Sequence, residues 1–292
     1  MTLDNNESLP RTRPTTYYKF RPYSADTSLD ERGWVRDTLF TNRIRFSRLA
    51  ELNDPFEGRP FMVPQHNDSI VQAAAIYTSV LKDAHVESLH GEQAEQQARF
   101  ETATILSPQV SQQTRQELLR QAIDESFWIY SISATRSPIL MWSHYADGHK
   151  GIVLHFDARL VPFDRLFEVH YADQYPEYPF PASEGIAAEE ASRAMLYTKA
   201  AGWRYEQEYR AIRVLAPGTP GQLAWREMGV LWNGQLATLP DTALVGITLG
   251  AAMPPKVAAE LSAEFAERRP ELQLWQAVVN SRSYTLDFHR LR

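Results

Sequence analysis

Two glutamates separated by one residue, Glu206 and Glu208, are the first residues in this sequence whose type and spacing suit chemistry. The surrounding segment, 205–215, alternates polar and apolar residues, which predicts a β-strand. Residues i and i+2 of a strand share a face about 6.5–7 Å apart. Two carboxylates so placed repel each other, which raises one pKa and suits acid–base catalysis or the stabilisation of a cation. The spacing alone favours the alternative, a solvated strand face whose carboxylates pair with Arg204 and Arg210.

A second candidate group offers stacking and hydrogen-bonding side chains within one turn-rich segment: Trp142, Ser143, His144 and Tyr145. This composition is typical of a ligand-binding pocket, although an aromatic packing corner would have it too. No G-x-S-x-G pattern surrounds Ser143, which argues against a hydrolase nucleophile. His144 and His149 are five residues apart, which does not match the i, i+4 spacing of a helical zinc site.

Two strand-like segments carry further polar pairs. Lys19 and Arg21 share one face of a predicted strand, where they could bind a phosphate or simply face solvent. Ser131 and Ser133 share one face of the predicted strand 127–133, so both hydroxyls point the same way.

The segment 53–57, Asn-Asp-Pro-Phe-Glu, is interpreted as a structural turn because Asn and Asp before Pro favour one. Its carboxylates, Asp54 and Glu57, are too few for a convincing calcium loop. The chain contains no cysteine, which excludes disulfides, thiolate metal sites and iron–sulfur clusters. No metal is expected.

The composition limits where the protein is expected in the cell and what it is expected to bind. The chain has 292 residues and a net charge of −6, so bulk electrostatics favour neither nucleic acid nor anionic membranes, although a local basic groove could exist. It contains no run of 18 apolar residues and no apolar core near its start, so neither a membrane span nor a signal peptide is expected. Cytoplasm is the expected location.

The elements that must position these residues are strands in clusters, with helices grouped between them. This order predicts an α+β fold rather than a doubly wound sheet. We expect a flexible segment over 1–16 and a single α+β domain over 17–292, with a helical insertion at 66–125. The strand 152–156 is expected to pair with 166–172 as a hairpin. Neither a P-loop nor a G-x-G-x-x-G fingerprint is present, so NAD would have to bind another way.

Several motifs together resemble a bacterial family catalogued as domain of unknown function 2971. These are YKFRPY at 18–23, N-D-P-F-E at 53–57, M-W-S-H-Y-x-x-x-H-x-G at 141–151, and Lys199 followed by W-x-Y-E-x-E-x-R at 203–210. The resemblance covers roughly residues 17–215. The family name implies no activity.

A second resemblance, to ADP-ribosyltransferases, does bear on function. Some of these enzymes carry an Arg, a Ser-x-Ser and a Glu-x-Glu on three successive core strands, and this chain has Arg21, Ser131-Ile132-Ser133 and Glu206-Gln207-Glu208 in that order. The resemblance implies a split, mixed or antiparallel β-sheet that binds NAD as its substrate without a Rossmann motif. The implied catalytic residues are Ser131, Glu206 and Glu208, and the implied NAD-binding residues are Lys19, Arg21, Ser133, Trp142, His144 and Tyr145.

The resemblance also implies roles for these groups. Glu208 would hold the ribose hydroxyl and stabilise the ribosyl cation, and Ser131 would support Glu208 and the ribose. Glu206 would orient or deprotonate an acceptor of unknown identity, and Arg21 would bind the pyrophosphate. Tyr145 or Trp142 would stack on nicotinamide. Such an enzyme would be a candidate toxin or phage-defence protein.

Two other functions remain open. A non-catalytic module could sense a nucleotide or phosphorylated ligand with the same aromatic and basic residues. A metal-dependent nuclease could use Asp54, Glu57, Glu206 and Glu208. This hypothesis has the least support, because the chain is acidic and the carboxylates are scattered along the sequence.

Overall fold

We describe a computed structural model of the chain, which places residues 13–23, 34–64, 110–180, 193–215 and 230–292. The strands are β1 (Thr16–Arg21), β2 (Arg43–Arg45), β3 (Phe61–Pro64), β4 (Phe127–Ser133), β5 (Ile152–Asp157), β6 (Phe167–Glu168), β7 (His170–Ala172), β8 (Glu177–Phe180), β9 (Thr198–Ala200), β10 (Glu208–Val214), β11 (Leu231–Asn233), β12 (Leu236–Thr238), β13 (Leu244–Leu249), β14 (Gln273–Val279) and β15 (Leu286–Arg290). The helices are α1 (Trp34–Thr41), α2 (Gln112–Ser126), α3 (Ile139–Tyr145) and α4 (Pro255–Arg268). Short 3-10 helices cover Leu49–Glu51, Phe163–Arg165 and Ala201–Glu206.

The centre of the fold is an eight-stranded sheet in the order β15-β14-β13-β5-β1-β4-β10-β6. Strands β13 and β14 run parallel to each other, whereas the other neighbours in this sheet are antiparallel. Three small sheets surround it: β11-β12-β2, β3-β8 and β7-β9. The predicted α+β class with a mixed sheet is confirmed.

The sheet is unevenly joined at β1. Strand β1 pairs with β5 along its whole length, but it pairs with β4 at one position only, Tyr18 opposite Ser133. Strand β4 pairs instead with β10 from end to end. Beyond Tyr18 the strands β1 and β4 therefore separate and leave a gap in the sheet.

Helices cover both faces of the sheet. On one face, Leu261 and Phe265 of α4 join a large buried cluster with Leu154 and Phe156 of β5. On the other face, a second cluster packs α3 against Phe20 and neighbouring strands. Burial on both faces explains why the apolar run of β5 lacks the polar alternation of a half-solvated strand.

A close backbone contact joins the loop after α3 to β1. A Cβ atom at Gly151 would lie 2.2 Å from the carbonyl oxygen of Arg21 and 3.0 Å from the backbone of Ala146. Only glycine fits this approach, which sets the position of α3 beside the end of β1.

Several sequence expectations need correction. The expected hairpin of 152–156 with 166–172 is wrong, because β5 pairs with β1 and β13. Strand β10 starts at Glu208, whereas Glu206 ends a 3-10 helix, because Gln207 between them has a left-handed φ of 45°.

Other expectations fall partly outside the described residues. Of the expected insertion, 66–125, the structure describes only the part from 110 onward, where α2 begins after the N-cap Ser111. Of the expected flexible segment, residues 1–12 lie outside the described part, and Thr16 already belongs to β1. Among the described residues, no helix has the length and apolar character needed to cross a bilayer.

We predict that Phe156→Ala lowers the free energy of unfolding by about 3–5 kcal/mol, because it leaves a cavity in the core. Phe156 is 0% exposed, and its ring centroid lies 4.6 Å from that of Phe163. Urea denaturation measures the loss. Val279→Ala is the control, since Val279 is 69% exposed, and a comparable loss in both variants would contradict the proposed core.

Candidate functional site

A cavity of about 300 Å³ lies in the gap between β1 and β4. Segments far apart in the sequence form its walls, including the ends of β1 and β4, α3 and the loop after β2. The lining residues are Tyr18, Lys19, Phe20, Arg21, Ser47, Glu51, Leu52, Asn53, Glu57, Ser131, Ile132, Ser133, Met141, Tyr145, Lys199, Glu206 and Glu208. We call this cavity the cleft pocket.

Seven of the nine site residues predicted from the sequence line the cleft pocket. They are Lys19, Arg21, Ser131, Ser133, Tyr145, Glu206 and Glu208. A larger cavity of about 680 Å³ lies between β3, β9 and the segment 172–177, but none of the nine predicted residues lines it. The cleft pocket is therefore the candidate site.

The other two predicted residues, Trp142 and His144, do not line the cleft pocket. Trp142 is fully buried, donates its Nε1 proton to the carbonyl oxygen of Arg136 at 2.8 Å, and packs its ring against the edge of Phe20. This is a core position, so the expected stacking of Trp142 on a ligand is wrong for this conformation. His144 is exposed, and its Nδ1 lies 3.1 Å from the hydroxyl of Tyr205.

An ammonium group at the wall of the pocket binds three carboxylates. The Nζ of Lys199 lies 2.6 Å from Glu206, 3.0 Å from Glu208 and 3.2 Å from Glu57. Glu206 and Glu208 are 3% and 4% exposed, so the alternative of a solvated strand face is wrong. The two carboxylates do not simply repel each other, because they share one cation.

The buried guanidinium of Arg210 binds two of the same carboxylates, those of Glu57 and Glu208. Arg210 is fully buried, and its Nε donates to Glu208 at 2.6 Å. Its Nη2 donates to Glu57, and its Nη1 donates to the carbonyl of Leu196 at 2.6 Å. The expected pairing of the glutamates with Arg210 is confirmed for Glu208, whereas Arg204 donates to the backbone carbonyl of Tyr171. We call Glu57, Lys199, Glu206, Glu208 and Arg210 the ionic network.

Sequence reasoning gave Glu57 a role only in the nuclease hypothesis, and it noted Lys199 only as part of a family motif. The segment 53–57 does form the expected Asx turn, since an oxygen of Asp54 accepts the amide proton of Phe56 at 2.9 Å. The same turn buries Glu57 against Lys199 and Arg210. A turn motif does not show where its last side chain points, so the contacts of Glu57 with Lys199 and Arg210 could not be predicted from the turn.

The ionic network moves the pKa values of its two neighbouring glutamates in opposite directions. Burial raises the pKa of Glu208, but the charges of Arg210 and Lys199 outweigh burial and hold that pKa below its usual range. Burial also raises the pKa of Glu206; Lys199 offsets this only in part, and the charge of Glu208 adds to it. Glu208 therefore stays ionised, and Glu206 is the carboxylate that takes up a proton first.

A hydrogen-bonded chain links Glu206 to the mouth of the pocket. The hydroxyl of Tyr145, at the end of α3, donates to Glu206 at 2.6 Å and accepts from the side-chain amide of Asn53, also at 2.6 Å. Burial is the largest of the effects that raise the pKa of Tyr145, so its hydroxyl stays protonated and remains a donor. Asn53 is exposed, so this chain runs from the surface to a buried carboxylate.

The two predicted serines have different surroundings. The hydroxyl of Ser133 lies within hydrogen-bond distance of two backbone carbonyl oxygens, that of Glu206 at 2.6 Å and that of Thr135 at 2.8 Å. The contact with Glu206 joins β4 to the segment before β10. The buried Oγ of Ser131 makes no well-aligned hydrogen bond in the described part of the chain, although its hydroxyl helps to lower the pKa of Glu208. Ser131 is thus the serine whose hydroxyl lies beside Glu208 in the lining of the cleft pocket.

The arrangement of the carboxylates bears on the nuclease hypothesis. The Lys199 ammonium lies between the three carboxylates, where a metal ion would have to bind. Across the described ranges, no group of three or more metal-ligating side chains could hold a metal ion. Asp54, the fourth carboxylate of the nuclease hypothesis, does not line the cleft pocket.

Comparisons with known proteins support the first resemblance. A family model described as a protein of unknown function, DUF2971, matches residues 141–211. These residues include most of α3, all of β5, the 3-10 helix before β10 and the start of that strand. No curated protein and no solved structure matches the chain.

We predict that Lys199→Met lowers the free energy of unfolding at neutral pH by about 3–5 kcal/mol, because it leaves buried carboxylates without their shared cation. The control is Lys256→Met, since the side chain of Lys256 is 87% exposed and lies 3.9 Å from its partner Glu260. Chemical denaturation of both variants measures the difference. A loss for Lys199→Met no larger than for the control would contradict the stabilising role of Lys199.

The low pKa of Glu208 predicts a pH dependence. A glutamate has a pKa of about 4.3 in an unfolded chain, so the stability from ionised Glu208 is complete above that pH and is lost as the pH falls through its lower folded value. Wild type should therefore be more stable than Glu208→Gln near neutral pH, and the difference should shrink below pH of about 4.3. Denaturation curves at several pH values measure it, and a constant or growing difference would contradict the assignment.

Proposed function

We propose that this relative of the DUF2971 proteins binds NAD in the cleft pocket, cleaves its nicotinamide–ribose bond and transfers ADP-ribose to an acceptor. The observation that carries the proposal is convergence: Arg21, Ser131 and Glu208, from three strands far apart in the sequence, line one cavity. The gap between β1 and β4 is also what the resemblance to a split ADP-ribosyltransferase sheet leads one to expect.

The size of the pocket suits part of a dinucleotide. Ligand pockets commonly enclose about 300–1,000 Å³, and the cleft pocket, at about 300 Å³, is at the lower end. We infer that the nicotinamide–ribose half enters the pocket and that the adenosine lies outside. An aromatic group of His144, Trp203 and Tyr205, with ring centroids 6.0–6.2 Å apart, lies beside Tyr145 and offers surfaces on which a base could stack.

The charge of the ionic network suits the proposed bond cleavage. Three carboxylates face two cations, so the network carries one net negative charge when all five groups are ionised. Departure of nicotinamide leaves positive charge on the ribose, as in glycoside cleavage. A fixed negative site stabilises that charge without having to reorganise. Glu208 is the carboxylate whose lowered pKa keeps it ionised throughout.

The proton and the electrons can be assigned to groups in this pocket. The C–N bond electrons leave with nicotinamide, which becomes neutral. A lone pair of the acceptor then forms the new bond to the ribose carbon, and the acceptor's proton passes to Glu206, whose raised pKa favours uptake. Tyr145 orients Glu206 through its hydrogen bond. Arg21 is assigned to the pyrophosphate, and Ser131 to a ribose hydroxyl.

One observation favours the alternative of a non-catalytic nucleotide sensor. Both carboxylate oxygens of Glu208 already accept hydrogen bonds, one from Arg210 and the other from Arg210 and Lys199. A sensor needs no free carboxylate, whereas an enzyme would use Glu208 through its charge alone. Binding of NAD without release of nicotinamide would identify the sensor.

We predict that Glu208→Gln lowers nicotinamide release from NAD by about 10²–10³-fold, because it removes the fixed negative charge from the pocket. Chromatography of nicotinamide measures the rate, and thermal unfolding with and without NAD measures folding and binding. Glu260→Gln is the matched control, because the side chain of Glu260 is 55% exposed on α4.

The outcomes separate the hypotheses. Release at the wild-type rate by a folded Glu208→Gln variant would remove Glu208 from the mechanism. Stabilisation of the wild type by NAD with no release would favour the sensor. Neither binding nor release by the wild type would contradict both functions.

A further inference from the structure

Lys19 lines the cleft pocket but does not belong to the ionic network. Its Nζ donates to the backbone carbonyl of Ser131 and lies 5.0 Å from the centre of the Tyr130 ring. Within the described part of the chain it makes no ion pair, whereas Lys199 in the same pocket binds three carboxylates. One hydrogen-bond acceptor and one ring are all that the described structure gives this amine.

The neighbours of Lys19 favour its neutral form. Burial is the largest effect that lowers its pKa, and the guanidinium of Arg21, two residues further along β1, lowers it more. The charges of Glu208 and Glu206 act in the opposite direction without restoring the pKa, which stays well below the usual lysine range. The charge of Lys199, which both glutamates bind, also lowers the pKa of Lys19.

Desolvation and a neighbouring cation both lower the pKa of a lysine, and the neutral amine that results is a nucleophile. A neutral amine carries a lone pair that can attack an electrophile, and Lys19 lines the cleft pocket. Arg21 lines the same pocket and can bind an anionic group of the same ligand.

We propose that Lys19 forms an imine with an aldehyde ligand whose phosphate or pyrophosphate group is bound by Arg21. The lone pair of Nζ attacks the aldehyde carbon, and the carbonyl oxygen becomes a hydroxyl as the nitrogen gives up a proton. The resulting carbinolamine then loses its hydroxyl with the second amine proton as water, which leaves the C=N bond. No oxidant or reductant is needed.

The chemical class of the ligand is a phosphorylated or pyrophosphate-linked aldose in its open-chain form. ADP-ribose belongs to this class, and its inclusion is the single point at which the inference rests on the proposed function. Ribose 5-phosphate shares the reacting groups and does not require NAD cleavage.

The test uses the wild-type chain with pyridoxal 5′-phosphate as an anionic aldehyde probe. Borohydride reduces any imine to a stable amine, and peptide mass spectrometry identifies the labelled lysine. The chain has five lysines, Lys19, Lys82, Lys150, Lys199 and Lys256, so exposed amines provide internal controls. We expect Lys19 to be labelled at least about tenfold faster than Lys256 at neutral pH, since each unit by which a pKa falls raises the neutral fraction about tenfold. Lys199 should stay unlabelled, because its three carboxylates keep it protonated.

Labelling of Lys19 no faster than that of Lys256 would overturn the inference. A parallel reaction with ADP-ribose or ribose 5-phosphate and cyanoborohydride should modify Lys19 in the wild type, whereas the Lys19→Arg variant should show only the slow modification of its exposed lysines. Circular dichroism checks that this variant folds, and the wild-type labelling needs no variant. Nicotinamide release is measured separately, so labelling without release would contradict the proposed function alone, and release without labelling would contradict this inference alone.

Discussion

The ammonium of Lys199 is the constraint on which the site depends. It binds Glu57 from the turn after β2, Glu206 from a 3-10 helix and Glu208 from the start of β10, all of them buried. Charges this deep are tolerated only when each is paired and hydrogen-bonded. Two distant segments, the turn at 53–57 and residues 199–208, must therefore meet at one point, and the wall of the cleft pocket is where they meet.

Burial and neighbouring charges shift the pKa values of residues of the same type in opposite directions within the cleft pocket. Of two lysines, burial and Arg21 drive Lys19 towards its neutral form, while three glutamates keep Lys199 charged. Of two glutamates, Arg210 and Lys199 keep Glu208 ionised, while Glu206 is left as the group that accepts a proton. Residues of the same type therefore differ in their preferred protonation state because their neighbours differ.

Local patterns in the sequence predicted the parts of the site that depend on strand periodicity. Lys19 with Arg21, and Ser131 with Ser133, lie on strands, and all four line one pocket. The left-handed residue Gln207 could not be predicted, because nothing in the alternation of 205–215 marks a break. Contacts across 153 positions, such as that between Glu57 and Arg210, leave no periodic signal in a single sequence.

A crystal structure of the protein with bound ADP-ribose tests the central claim most directly. The account predicts electron density for the ribose between β1 and β4, with the pyrophosphate at Arg21 and a ribose hydroxyl within hydrogen-bond distance of Ser131. Density in the larger cavity beside β3 and β9, or a cleft pocket that stays empty at saturating ligand, would contradict it.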